Sequence, residues 1–222
     1  MKYSNVFFDL DGTITEPVNG ITNAIIYSLK KYNIEVADRT SLYKFIGPPL
    51  RDSYREFYGF SEEQAEEAVA FYREYYSTKG ILENDIMPGM TEAMDRLKKA
   101  GCRLYVATSK PEIYARQILE HLKLDEYFDI IAGSLLDGSR DKKELVIQYL
   151  LDSSGIGSRP DGIKNTVMVG DRKFDIIGAR HFGMDNIGVT FGYGDREEFE
   201  ACGTMKIVDT AEEMADYILM EA

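Results

Sequence analysis

Short apolar runs that end in polar side chains, separated by stretches with helical spacing, open the chain and recur from about residue 85 onward. The first run, Asn5-Val6-Phe7-Phe8, leads into Asp9-Leu10-Asp11-Gly12-Thr13. This predicts a buried strand whose C-terminal end delivers two carboxylates into a loop. Side chains alternate along a strand, so Asp9 and Asp11 are expected to leave on the same side. Gly12 permits a sharp turn close to a ligand, and Thr13 adds a hydroxyl and an N–H. Taken alone, the same residues would serve as a polar turn after a core strand.

Between residues 20 and 80 the pattern is helical throughout. Ile21, Ala24, Ile25, Ser28, Leu29 and Tyr32 share one face. Gly47-Pro48-Pro49 predicts a loop or tight turn. Ser61 and Gln64 form a capping-box pattern ahead of a stripe through Ala65, Ala68, Val69, Tyr72 and Tyr76. An all-helical insert is the expectation. Strand and helix then alternate, the mark of a parallel sheet. The expected strands are 104–107, 129–132, 166–169 and 186–189, with a further one at 206–208. Between them lie helices over 91–100, from Pro111 to about Leu122, over 144–151, over 173–182, and from Ala211, with Gly101 closing the first.

The totals narrow the class. A chain of 222 residues with 44% hydrophobic and 29% charged residues suits a folded core carrying a smaller insert. A net charge of −12 and a pI near 4.7 oppose affinity for nucleic acid polymers or anionic membranes. No apolar run is long enough to span a bilayer, and the N-terminus lacks a signal-peptide pattern, so the expected location is cytoplasmic. Cys102 and Cys202 lack metal-ligand spacing and read as reduced thiols. Neither His121 nor His181 has a neighbour in the sequence that suggests catalysis.

Three apolar runs end in polar groups: Asp9, Asp11 and Thr13 after the first, Thr108 and Ser109 after the second, and Asp171 after Gly170. In an open parallel sheet a ligand sits outside the carboxyl ends of the strands, so neighbouring strands would bring these groups together. Paired carboxylates suit a hard divalent cation, and they also suit a nucleophile working beside a proton carrier.

With these motifs the chain resembles the haloacid dehalogenase superfamily, specifically its helical-cap phosphatases of the phosphoglycolate phosphatase-like and 5'-nucleotidase-like group. Asp9-Leu-Asp-Gly-Thr13 is similar to the family's first motif, Thr108-Ser109 to its second and Gly170-Asp171-Arg-Lys-Phe-Asp175 to its fourth. Met87-Pro88-Gly89 resembles the point where the chain re-enters the core. The resemblance implies an α/β fold, a Rossmann-like parallel-sheet core over residues 1–15 and 85–222, with an all-helical cap over 16–84. It implies a phosphoric monoester hydrolase in which Asp9 attacks phosphorus. Asp11 then protonates the departing alkoxide and activates the water that follows.

By the same resemblance Mg2+ is held by Asp9, the Asp11 backbone carbonyl and Asp171. Asp175 either orients these groups from behind or is a helix N-terminal acid favoured by the macrodipole. Thr13, Thr108 and Ser109 would bind phosphoryl oxygens. Lys143 is the expected phosphate-clamping cation, with Lys142 as runner-up, and Lys110 before Pro111 reads as a solvated lysine ahead of an auxiliary role. The cap is expected to exclude water and choose the leaving group, with Phe45, Gly47, Pro48 and Arg51 as places to look for substrate contacts, while its tyrosines pack. The expected partner is a small phosphorylated metabolite, and the chain is a monomer or homodimer. Phosphomutase, pyrophosphatase and phosphonatase chemistry, or noncatalytic binding of a phospho-ligand, are the alternatives on this fold.

Overall fold

The computed structural model describes residues 1–220. The chain divides into two compact units: Met1–Thr15 together with the chain from Ile86 onward, and Glu16–Asp85. It leaves the first unit and returns to it through two short paired strands, β2 (Thr15–Glu16) and β3 (Asp85–Ile86).

The larger unit is built on a six-stranded sheet. Its strands are β1 (Asn5–Phe8), β4 (Arg103–Pro111), β5 (Phe128–Ser134), β6 (Thr166–Gly170), β7 (Asp185–Val189) and β8 (Lys206–Val208), in the order β5-β4-β1-β6-β7-β8. The five pairings within this sheet are all parallel. All of β1 and all of β6 are buried, as expected of central strands covered on both faces. Register matters most for the chemistry. Phe8 lies beside Val106 on one neighbour and Val169 on the other. The residues that follow, Asp9, Ala107-Thr108 and Gly170-Asp171, therefore emerge at one edge of the sheet.

Helices fill the crossovers: α4 (Met90–Lys99), α5 (Glu112–His121), α6 (Lys143–Ser153), α7 (Lys173–His181), α8 (Arg196–Ala201) and α9 (Ala211–Leu219). Val146, Ile147, Leu150 and Leu151 of α6 and Ala179 of α7 pack on Phe7, Tyr105 and Met168, which share one sheet face. The rings of Phe7 and Tyr105 meet edge to face at 5.2 Å. Helix α4 ends before Gly101, whose φ of 90° is the left-handed value expected of a terminating glycine.

β4 departs from the expected short strand. It runs through Pro111, so α5 begins at Glu112 instead of at the proline. Between Ala107, opposite Ala132, and Pro111, opposite Ser134, its register slips, because more residues lie on β4 than on β5. The surplus arches outward as Thr108, Ser109 and Lys110. Helix α8 had no counterpart among the expected elements.

The helical unit contains α1 (Val18–Lys30), α2 (Leu50–Tyr58) and α3 (Glu62–Tyr76), with 3-10 turns at Arg39–Phe45 and Gly80–Leu82. The Ser61–Gln64 capping box forms in both directions. Ser28 of α1 donates to the Ala68 carbonyl of α3 at 2.7 Å. Phe45 is buried against Tyr54 and Phe57, and is therefore core packing and not a free recognition side chain. Arg51 pairs with Glu66 on the surface. Tyr72 and Tyr76 stack in the interior, as their spacing predicts. Among the described residues no helix is long and apolar enough to cross a membrane.

Candidate active site

The turn after β1 is fixed by its own backbone. The Leu10 carbonyl accepts from the N–H groups of Ile14 and Thr15, each at 2.9 Å, and Gly12 donates to the Thr15 carbonyl at 2.7 Å. Gly12 has φ of 80°, and a Cβ there would lie 2.2 Å from Oδ2 of Asp171. Glycine is required both by the left-handed backbone and by this approach. Thr13 is fully buried, and its hydroxyl has no hydrogen-bond partner among the described residues.

Asp9 meets the groups delivered by the other strands. Lys143, at the start of α6, places its ammonium 2.9 Å from Asp9 Oδ1 and 2.7 Å from Asp175 Oδ1, and donates to the Ala107 carbonyl at 2.8 Å. Its neighbour Lys142 is exposed. The stem of Lys143 passes over Gly178 of α7, where a Cβ would sit 2.9 Å from its Cγ. Burial would lower the Lys143 pKa, but the Asp175 and Asp9 charges outweigh it and hold the ammonium protonated.

Carboxylate oxygens of Asp9, Asp171 and Asp175 all lie within 4.8 Å of one another, and all three residues are buried. Asp175 Oδ2 accepts the Arg172 N–H at 3.1 Å, while Gly170 leaves the space its carboxylate fills. Asp175 thus combines the two roles open to it from the sequence, capping α7 and facing the cluster. Asp171 Oδ2 accepts the Tyr193 N–H at 2.8 Å, and its Oδ1 is buried without a hydrogen-bond partner among the described residues. Burial first, then the charges of Asp9 and Asp175, push the Asp171 pKa well up. Burial likewise pushes Asp175 up to about 7 against the pull of Lys143.

Asp11 lies outside that triad. Its Oδ2 pairs at 2.8 Å with Lys110, whose side chain is only 6% exposed. The expectation of a solvated Lys110 is therefore corrected: the arch of β4 turns the ammonium inward. Burial raises the Asp11 pKa, opposed by Lys110. In the same arch Thr108 is buried and accepts the Lys110 N–H on Oγ1 at 3.2 Å, which leaves the hydroxyl hydrogen for another acceptor. Ser109, beside it, is half-buried.

Two further features escaped the sequence reading. The loop after β7, Phe191-Gly192-Tyr193-Gly194, presses its backbone onto Asp171. A Cβ on Gly192 would lie 2.3 Å from the Gly12 carbonyl oxygen, and one on Gly194 would lie 2.1 Å from that of Asp171. Paired glycines after an apolar strand were the available signal for so close an approach. Arg172 pairs with Glu198 of α8 at 3.0 Å, so its charge is matched outside the cluster.

Asp9, Asp11, Asp171 and Asp175 thus face two ammonium groups, a formal excess of two negative charges in a largely buried space. Buried carboxylates without enough counter-charge are costly, and oxygens in this number suit a hard divalent cation. The residues fit such an ion, and the bare Oδ1 of Asp171 supplies a ligand atom for it.

Comparison with known proteins agrees with this chemistry. Residues 6–189 match the family described as haloacid dehalogenase-like hydrolase. A 5'-nucleotidase of Pseudomonas aeruginosa is 42% identical over 90% of this chain and 89% of its own length. A tyrosine-protein kinase PtkA of Mycobacterium tuberculosis is 36% identical over 93% of this chain and 68% of its own. Among solved structures, one described as a predicted phosphatase from Clostridium acetobutylicum superposes with a TM-score of 0.92 at 45% identity, covering 99% of both chains.

Proposed function

This chain belongs to the haloacid dehalogenase-like hydrolase family and is a phosphatase, and from that premise we propose that it hydrolyses small phosphate monoesters through a phosphoryl group carried on Asp9. The observation that carries the reading is the uncompensated acid cluster: Asp9, Asp171 and Asp175 share one buried space, with Lys143 bridging the first and last. An Asp9 oxygen forms a bond to phosphorus as the bond to the ester oxygen breaks. The electron pair leaves on that oxygen, which takes a proton from Asp11. Water then gives a proton to Asp11 and attacks phosphorus, which frees the Asp9 carboxylate and releases inorganic phosphate.

Asp9, Asp171 and the Asp11 backbone carbonyl would hold Mg2+, which when bound offsets the charge of the phosphoryl oxygens. Lys143 adds a fixed positive charge beside Asp9. Thr13, Thr108 and Ser109 donate to the equatorial oxygens, supported by the hydroxyl hydrogen that Thr108 keeps in reserve. Asp175 holds Lys143 from behind. The helical unit contributes none of these groups, and leaving-group selection is assigned to it. The 42% identity with a 5'-nucleotidase favours a nucleoside 5'-monophosphate as the first substrate to try, ahead of phosphoglycolate. Phosphonatase chemistry lacks support. Of the cap lysines, Lys31 lies over the Tyr27 ring at 4.8 Å and Lys44 over the Phe57 ring at 4.1 Å, contacts that engage their ammonium groups within the helical unit.

The test is phosphate release from a nucleotide and metabolite panel with and without Mg2+. Metal-dependent turnover is expected, with Asp9→Asn folded but slower by at least about a thousandfold. Turnover retained in that variant would remove Asp9 as the nucleophile. The identity with a tyrosine-protein kinase favours one second reading, in which a tyrosine hydroxyl replaces water as acceptor and ATP supplies the phosphoryl group. Label from γ-phosphate-labelled ATP appearing on a tyrosine peptide would favour it over hydrolysis.

A further inference from the structure

We infer that Lys110 is a positioning residue for Asp11, holding one carboxyl oxygen so that the other is the one offered to the leaving group. The inference rests on the reading of Asp11 as proton donor given above.

Three observations at the site carry it. The ammonium of Lys110 lies 2.8 Å from Asp11 Oδ2. Asp11 Oδ1 is buried and has no hydrogen-bond partner among the described residues. The two oxygens are thus distinguished by their surroundings, one paired and one without a hydrogen-bond partner among the described residues. The other buried ammonium of the site, on Lys143, already meets Asp9, Asp175 and the Ala107 carbonyl, which matches its three N–H donors.

The backbone that carries Lys110 is itself held. Its N–H donates to Thr108 Oγ1, and its carbonyl oxygen occupies space that a side chain on Gly133 would invade, since a Cβ there would lie 2.4 Å away. The nearest rival acid along the chain, Glu112, is engaged elsewhere, by Arg116 at 3.0 Å and Arg140 at 2.6 Å. Arg140 also donates to the Gly133 carbonyl at 2.7 Å, which ties the following loop to the base of the arch. A buried ion pair is a weak source of stability, because desolvation offsets most of the attraction, and its best use is to fix orientation. Lys110 brings its ammonium to one Asp11 carboxylate oxygen from an arch held by these contacts, which is the arrangement such a role requires.

The experiment compares two esters on the full chain with Mg2+: p-nitrophenyl phosphate, whose nitrophenolate leaves without a proton, and glycerol 2-phosphate, whose alkoxide needs one. Lys110→Met and Lys110→Gln are expected to lose at least about tenfold more kcat/KM, which reports ester cleavage and not the later hydrolysis that both esters share, on the alkyl ester than on the aryl ester, within the range a general acid supplies. KM and competitive inhibition by inorganic phosphate should stay within about threefold of the parent, and Lys110→Arg should recover part of the alkyl rate. In an Asp11→Asn background, the Lys110 substitutions should cause no further selective loss. Equal losses on both esters would overturn the inference, as would a loss confined to KM and phosphate inhibition, which would make Lys110 a phosphate ligand. If Lys110→Met does not fold, Lys110→Gln and Lys110→Arg decide by the same ratio of esters; failure of all three to fold would assign Lys110 to the structure and overturn the inference. A parent protein that releases phosphate from neither ester would instead remove the hydrolase reading on which this rests.

Discussion

Lys143 illustrates how much a single side chain can organise. Its ammonium touches two acids and a carbonyl from three segments of the chain, and only 3% of the side chain is exposed. Lys143→Met would leave Asp9 and Asp175 facing each other without it. The expected loss is about 3–5 kcal/mol in metal-free protein, the usual cost of stranding a buried charge, together with at least about a hundredfold in kcat. Lys142→Ala, at an exposed position, should change stability by less than about 0.5 kcal/mol and leave turnover near the parent value. Denaturant melts and steady-state rates on the pair check both. Which of these lysines is buried was legible from the sequence, because Val146 and Ile147 set the inward face of the helix. Lys110 could not be read in that way. A lysine before a proline looks the same whether it is solvated or folded inward, and the difference lies in the register between β4 and β5, which local pattern does not encode.

At the level of elements, the ends of the central strands were legible because each is an apolar run stopped by polar residues. The loop Phe191–Gly194 was not, since its partner Asp171 belongs to a different strand and a glycine states only that something comes close. Gly192→Ala tests that contact. The new methyl would lie 2.3 Å from the Gly12 carbonyl oxygen and 2.6 Å from Asp171 Oδ2, so the loop must shift and the Tyr193 amide with it. Overpacking of this kind costs about 1–3 kcal/mol. Misplacing a group that orients a metal ligand costs about 10–100-fold in metal affinity. The Mg2+ concentration needed for half-maximal activity should rise accordingly, and calorimetric titration of the variant with Mg2+ should report the same weakening. Unchanged affinity would reduce the loop to packing.

Across the whole molecule, acid is in excess, −12 over 222 residues, and part of that excess is buried at the sheet edge. This ties global stability to pH and to metal. Asp175 is raised from its ordinary 3.8 to about 7 by burial, and Asp171 is raised in the same direction. The folded chain therefore binds these protons more tightly than the unfolded chain. Metal-free protein should gain stability as pH falls from about 7 toward 4 and lose it as pH rises through about 7. Thermal melts in EDTA should show a lower Tm at about pH 8 than at about pH 5.5, and saturating Mg2+ should reverse or abolish that order. The alternation of strand and helix, and the helical run between residues 20 and 80, were readable from periodicity alone. Helices α2 and α8 were harder, because each is short and carries few apolar positions.

The paired strands β2 and β3 have a consequence of their own. Because outgoing and returning backbone run side by side, the two points at which the chain leaves and re-enters the sheet-bearing unit form no more than a narrow gap in its own contour. A gap so narrow can be sealed by a few linker residues at little entropic expense, and it can equally accept a different insert. On the proposed division of labour, exchanging the insert should change which esters are cleaved while the residues at the strand ends keep their chemistry, as a tool holder keeps its grip through a change of bit.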